Sequence, residues 1–71
     1  MSDLDERLLA AHAAGENERL VALYTEAADT ANDQDAACFF LTHAYIFALE
    51  QNHPALEDLR KRLVAAGRET P

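Results

Sequence analysis

Apolar residues recur along the chain with the period of an α-helix, and three polar breaks separate four such stretches. The four stretches contain Leu4, Leu8, Leu9 and Ala11; Leu20, Leu23, Tyr24, Ala27, Ala28 and Ala31; the run 36–49; and Leu56, Leu59, Leu63 and Val64. Only Thr42 and His43 are polar within the run 36–49. No stretch alternates with the period of two that is typical of a strand, so the pattern predicts an all-α protein.

Residues suited to helix ends bracket the first two stretches. Ser2, followed three residues later by Asp5, resembles a capping box that opens the first helix. Gly15 can adopt the left-handed conformation that ends a helix, and Asn17 can cap the helix that follows. The first hairpin is therefore expected to turn between Gly15 and Asn17.

The last two stretches have boundaries of the same kind. Asn32 or Asp33 can cap the third helix, and Pro54 suits the first position of the fourth. Gly67 is placed to end the fourth helix. We therefore predict a single helical domain, 1–71. Its helices are expected at about 3–14, 18–31, 34–51 and 54–66, before a short tail at 68–71.

Loops of only a few residues make sequential helices antiparallel neighbours. The predicted architecture is therefore four antiparallel helices as two stacked helical hairpins, with the first helix on the second and the third on the fourth. The two halves also match each other when one is shifted by 36 residues. The shift pairs Leu4 with Phe40, Leu9 with Tyr45, Leu20 with Leu56, Leu23 with Leu59, Ala27 with Leu63 and Ala28 with Val64.

Two segments carry the pattern of a known helical repeat. They are the turn 15–18 with Leu20, Tyr24 and Ala27 after it, and the group Cys38, Leu41, Thr42, Ala44 and Tyr45. The first resembles the turn and second helix of a tetratricopeptide (TPR) repeat, or of the related Sel1-like repeat, and the second resembles the first helix of the next unit. The match covers about 4–66, roughly two units, and departs from the pattern at Cys38, Thr42 and Arg60. The resemblance implies an αα-superhelix and a role in protein–protein contact.

The third helix is apolar nearly all the way round, and a chain of 71 residues has little interior in which to bury it. On a helical wheel, Phe39 and Ile46 lie in the same sector as Thr42, His43 and Glu50, and these five residues are the candidate interface. The side expected to face the core carries Phe40, Leu41, Ala44, Tyr45, Ala48 and Leu49. Either the first or fourth helix covers Phe39 and Ile46, or the two form an exposed apolar patch for a partner.

Thirteen acidic and six basic residues give the chain a formal net charge of −7. This charge opposes binding to nucleic acids and to anionic membranes. Residues 1–58 hold twelve acids and two bases, a net of −10, whereas residues 59–71 hold one acid and four bases, a net of +3. The basic end either complements the dipole of the last helix or forms a docking patch for an acidic partner.

Few residues offer catalytic or metal-binding chemistry. The histidines form no i, i+4 pair, and Glu50-x-x-His53 is a single copy of a motif that carboxylate-bridged metal sites need twice. Cys38 is the lone cysteine and is expected to be a small core side chain. We therefore predict no catalytic residue, cofactor or metal. The start at Met1 lacks a signal-peptide pattern and the apolar run is too short to cross a bilayer, so a cytoplasmic protein without membrane contact is expected.

The sequence favours a small non-catalytic protein–protein interaction module. Its partner is expected to be a protein, and a homodimer formed through the apolar third helix fits the pattern best. The alternative is an acidic regulatory subunit or mimic that binds a basic partner protein through its charge. An enzyme is the weakest hypothesis, since two short hairpins leave little room for a ligand pocket.

Overall fold

A computed structural model describes residues 3–68. The chain forms four α-helices: α1 at Asp3–Ala14, α2 at Asn17–Thr30, α3 at Gln34–Gln51 and α4 at Leu56–Ala65. No strand occurs in this part of the chain, so the all-α prediction is confirmed. The predicted tail at 68–71 lies outside the described residues apart from Arg68.

Local chemistry sets most of the helix ends. The Asp33 side chain accepts a hydrogen bond from the backbone amide three residues later (2.8 Å), so Asp33 rather than Asn32 caps α3. Gly15 (φ 67°) and Gly67 (φ 75°) have the left-handed backbone expected of residues that end helices. The predicted Ser2 cap lies outside the described residues.

Two helices begin elsewhere than the sequence predicted. α2 begins at Asn17 instead of being capped by it, and its N-cap Glu16 makes no side-chain capping hydrogen bond. α4 begins at Leu56 rather than at Pro54, because Pro54 lies in a turn closed by the hydrogen bond from the Leu56 amide to the His53 carbonyl (3.0 Å). The fixed φ of Pro54 therefore stabilises the loop that precedes α4, and Pro54 is not part of the helix itself.

The four helices pack as two hairpins that are stacked through their middle pair. α1 packs on α2 and α3 packs on α4, while the contact between α2 and α3 is the most extensive. The Cα atoms extend 33 × 28 × 12 Å along the principal axes. Because a helix with its side chains is about 10–12 Å across, this thin body leaves one side of even its central helices open to solvent.

Two groups of buried residues form the core. The larger lies between α2, α3 and α4 and contains Val21, Ala28, Leu41, Ala44, Ala48, Leu59 and Leu63. The smaller joins α1 to α2 and contains Ala11, Leu20 and Leu23. The alanines on the inner side of α3 are small, which allows α2 to approach it closely.

Most of the residues predicted to line the inner side of α3 do so. Leu41, Ala44 and Ala48 are buried, and Phe40 and Tyr45 are half-buried. Cys38 is a buried free thiol, as expected of a small core side chain. Leu49 is the exception and belongs to the surface described next.

Candidate interface on the third helix

Three large apolar side chains of α3 are about half exposed: Phe39 (59%), Leu49 (51%) and Ile46 (49%). Neither α1 nor α4 covers Phe39 and Ile46, which the sequence placed in the outer sector. The expectation that Leu49 faces the core is wrong. At 100° per residue, Leu49 lies only about 20° from Thr42 around the helix axis. Its position around the axis therefore places it on the outer side, although it is apolar. We name Phe39, Thr42, Ile46 and Leu49 the outer stripe.

Thr42 lies between Phe39 and Ile46 along the outer stripe, and its hydroxyl group is hydrogen-bonded within α3. Its Oγ1 donates a hydrogen bond to the Cys38 carbonyl one turn earlier (2.8 Å). A partner that packs on Thr42 does not deprive this hydroxyl of its hydrogen bond. Apolar groups can therefore cover the outer stripe without burying an unsatisfied polar atom.

His43 lies at the edge of the outer stripe and turns toward α2. Its Nδ1 donates a hydrogen bond to the Phe39 carbonyl (2.8 Å). The His43 ring stacks on Tyr24 with 5.1 Å between centroids, and its centroid lies 4.4 Å from that of Phe39. His43 is thus half-buried and supports the Phe39 ring from the inner side.

An aromatic cluster behind the outer stripe joins α1, α2 and α3. His12 Nε2 lies 2.8 Å from the Tyr24 hydroxyl, within hydrogen-bond distance. The Tyr24 ring stacks on Phe47 at 5.9 Å, and the His12 ring meets Phe47 edge-on at 5.9 Å. The sequence did not indicate these contacts, because no local signal connects residues on three different helices. The cluster holds α3 in place and so fixes the direction in which the outer stripe faces.

Charged groups stand at the two ends of the outer stripe. At the amino end of α3, Arg68 Nη2 lies 2.5 Å from Asp35 Oδ1, and this hydrogen bond raises the pKa of Arg68 above its ordinary value. At the carboxyl end, Glu50 is exposed and makes no ion pair within residues 3–68. The last turn of α3 contains no basic residue. The stripe therefore has an ion pair near one end and an unpaired carboxylate at the other.

A shallow depression of about 480 Å³ follows the amino-terminal half of the stripe. It is lined by Asp35, Cys38, Phe39, Thr42, His43 and Arg68. Three of the predicted interface residues meet here, while Ile46 and Glu50 lie further along α3. Arg68 is the member that the sequence did not indicate, because it reaches this surface from the far end of α4.

The basic residues near the carboxyl end also form ion pairs within the molecule. Arg62 Nη2 lies 2.6 Å from Asp29 Oδ1 on α2, and Arg68 pairs with Asp35 on α3. Both pairs join residues 33 positions apart. The uneven charge of the chain therefore helps to hold α4 against the rest of the molecule, and Arg62 also lies in the last turn of α4, where a cation complements the helix dipole.

Comparison with protein-family models, with curated proteins and with solved structures found no match to this chain. In the described part of the chain, no three or more histidine, cysteine, aspartate or glutamate side chains converge as a metal ion would require. None of the described helices is both long enough and apolar enough to span a membrane. The outer stripe is therefore the feature of the molecule from which its function is inferred.

Proposed function

We propose that this chain is a non-catalytic protein–protein interaction module that pairs with a second copy of itself through the outer stripe. The observation that carries this proposal is the half-exposure of Phe39, Ile46 and Leu49 on one side of α3. Contiguous exposed apolar patches on small proteins commonly mark sites of protein contact. The satisfied hydroxyl of Thr42 supports the same proposal, since it allows the whole stripe to be covered.

The exposed apolar area favours a weak dimer rather than a permanent one. Fully burying one such side chain contributes about 1.5–3 kcal/mol. Because the three large side chains are about half exposed, covering them in both copies contributes roughly 5–9 kcal/mol. Lost translational and rotational freedom opposes association by about 4–15 kcal/mol. Even the most favourable combination, about 9 kcal/mol of burial against about 4 kcal/mol of lost freedom, leaves only about 5 kcal/mol, so we expect a dissociation constant of roughly 0.2 mM or weaker.

The solution mass of wild type and of Phe39→Glu, measured by light scattering across dilution, tests the proposal. Phe39→Glu buries a charge in the interface and should give a monomer at every concentration, with helicity retained in circular dichroism. Leu9→Glu is the matched control, because Leu9 is 61% exposed on α1, away from the stripe, and the substitution changes the net charge equally. It should leave the dimer intact.

Ile46→Glu repeats this test at a second position of the stripe. A Phe39→Glu protein that remains dimeric, or that unfolds outright, would show that the proposed interface is wrong. The same conclusion follows if Leu9→Glu dissociates the dimer as completely as the stripe variants do.

We also propose that the chain is a degenerate pair of tetratricopeptide-like units that acts in the cytoplasm. The order of two stacked hairpins supports the repeat assignment.

A second candidate function is the recognition of a basic protein through charge. Every arginine is paired with a carboxylate, whereas Glu6, Glu18, Glu50 and Asp58 are exposed and make no ion pair with the described residues. Lys61 is also exposed without an ion pair in the described part of the chain, so the uncompensated surface charge is mainly acidic, which favours basic proteins over nucleic acids as partners. Salt distinguishes the two candidates, because charge-led binding weakens steeply as ionic strength rises and apolar pairing does not.

A further inference from the structure

The residues of the outer stripe are separated by three, four and three positions along α3. This is the spacing of the a and d positions of a coiled coil, where the side chains of one helix pack against another helix. On α3 this seam faces solvent instead of α2 or α4. The stripe therefore suits a helix as its occupant better than an extended or irregular segment.

We infer that the occupant is α3 of a second copy, running antiparallel to the first. This inference rests on the proposed function and names the geometry of the dimer. A two-fold axis at the level of Ala44 sets Phe39 opposite Leu49 of the other copy and Thr42 opposite Ile46, because both pairs are centred on position 44. The stripe is thus complementary to itself when one copy is reversed.

Side-chain volume favours the antiparallel arrangement. It sets the large Phe39 ring against the smaller Leu49 and the small Thr42 against Ile46, so the two helices can keep an even separation along the seam. A parallel arrangement would oppose two Phe39 rings and two Thr42 side chains. The rings would then hold the helices apart and leave a gap at the threonines.

Charge favours the same direction. A parallel pair would place two Glu50 carboxylates side by side, at helix ends that carry negative partial charge and no basic residue in the last turn. An antiparallel pair brings Glu50 and its helix end toward the amino end of the other α3, where Arg68 is held beside Asp35. The positive partial charge of that helix end favours Glu50, while the Arg68 guanidinium there is already compensated by Asp35.

Disulfide formation between engineered cysteines distinguishes the two directions. In a Cys38→Ala background, which removes the native thiol, Phe39→Cys and Leu49→Cys proteins are prepared separately, mixed and oxidised. The antiparallel dimer sets these two cysteines opposite each other and should give a mixed disulfide. Two Leu49→Cys chains should not cross-link, because their cysteines lie about 15 Å apart along the helix axis, beyond the reach of a disulfide. Leu9→Cys in the same background is the control away from the stripe.

The mixed disulfide between Phe39→Cys and Leu49→Cys is expected as the main product. The disulfide between two Leu49→Cys chains should be absent, and Leu9→Cys should form no disulfide with either stripe variant. A dominant Leu49→Cys self-disulfide would mean a parallel pair and would overturn the inference. A dimer in light scattering that forms neither product would place the second copy on another surface, and this also overturns the inference while self-association stands. A wild-type chain that is monomeric at every concentration would instead refute the proposed function, and the inference with it.

Discussion

Replacing Leu59 or Leu49 by alanine removes the same atoms from two different environments. Leu59 is 2% exposed where α4 packs on α3, whereas Leu49 is 51% exposed on the outer stripe. Alanine at Leu59 leaves a cavity in the larger core group and should lower the free energy of unfolding by about 2–5 kcal/mol. Alanine at Leu49 leaves no cavity and removes only a half-buried side chain, so the loss in the monomer should be about 1 kcal/mol.

The loss at Leu59 is large relative to the stability of the whole molecule. At about 0.05–0.15 kcal/mol per residue, a chain of 71 residues has a free energy of unfolding of roughly 4–11 kcal/mol. α4 buries only Leu59 and Leu63, so the docking of this helix depends on both. Because each kcal/mol shifts Tm by about 4–8 °C at this size, Leu59→Ala should lower Tm by about 10 °C or more.

Urea unfolding followed by circular dichroism measures both effects, first at a concentration where light scattering shows monomer. Repeated where the dimer forms, the assay should show a larger loss for Leu49→Ala than at dilution, since association stabilises the folded state. Equal losses at Leu49 and Leu59 in the monomer would contradict the exposure of Leu49. A loss below about 1 kcal/mol at Leu59 would contradict the packing of α4 described above.

Two further substitutions test local interactions by urea or thermal unfolding. Asp33→Ala removes the cap of α3 and should lower the free energy of unfolding by about 1 kcal/mol, whereas Asn32→Ala should change it little; equal effects would refute the cap. The hydrogen bond from Arg7 lowers the pKa of Glu26, so its stabilising contribution is present above the ordinary value of 4.5 and is lost as pH falls through the lowered value. Glu26→Gln should flatten this part of the profile of Tm against pH, and an unchanged profile would contradict the ion pair.

Helix ends set by neighbouring residues are the part of the fold that can be predicted best. Asp33 and Gly15 act within a few residues of their own positions, so the local sequence reveals their roles. The start of α4 is different, because Pro54 suits a turn as well as a first helical position. His53 Nδ1 accepts a hydrogen bond from the Ala55 amide (3.0 Å), which stabilises the turn. The local pattern alone does not separate these two uses of proline.

The candidate interface is predictable only as far as the helical period extends. The period places Phe39 and Ile46 in the outer sector of α3 because the angle between residues is constant along a helix. The same angle places Leu49 there, and only its apolar character assigned it to the core. Arg68 could not be placed beside Asp35 from the sequence, since the two meet only after α4 has folded back along α3.

The sequence by itself determined an all-α chain, its four helices and the outer sector of α3, because periodicity and capping are local properties. Only the tertiary structure decided which faces are covered. α1 packs on α2, and α4 packs on a side of α3 that leaves the outer stripe open. The contact between His12 and Tyr24 and the ion pair between Arg62 and Asp29 were decided in the same way. Burial and ion pairing depend on which helices become neighbours in space, and that follows from the packing of the whole chain.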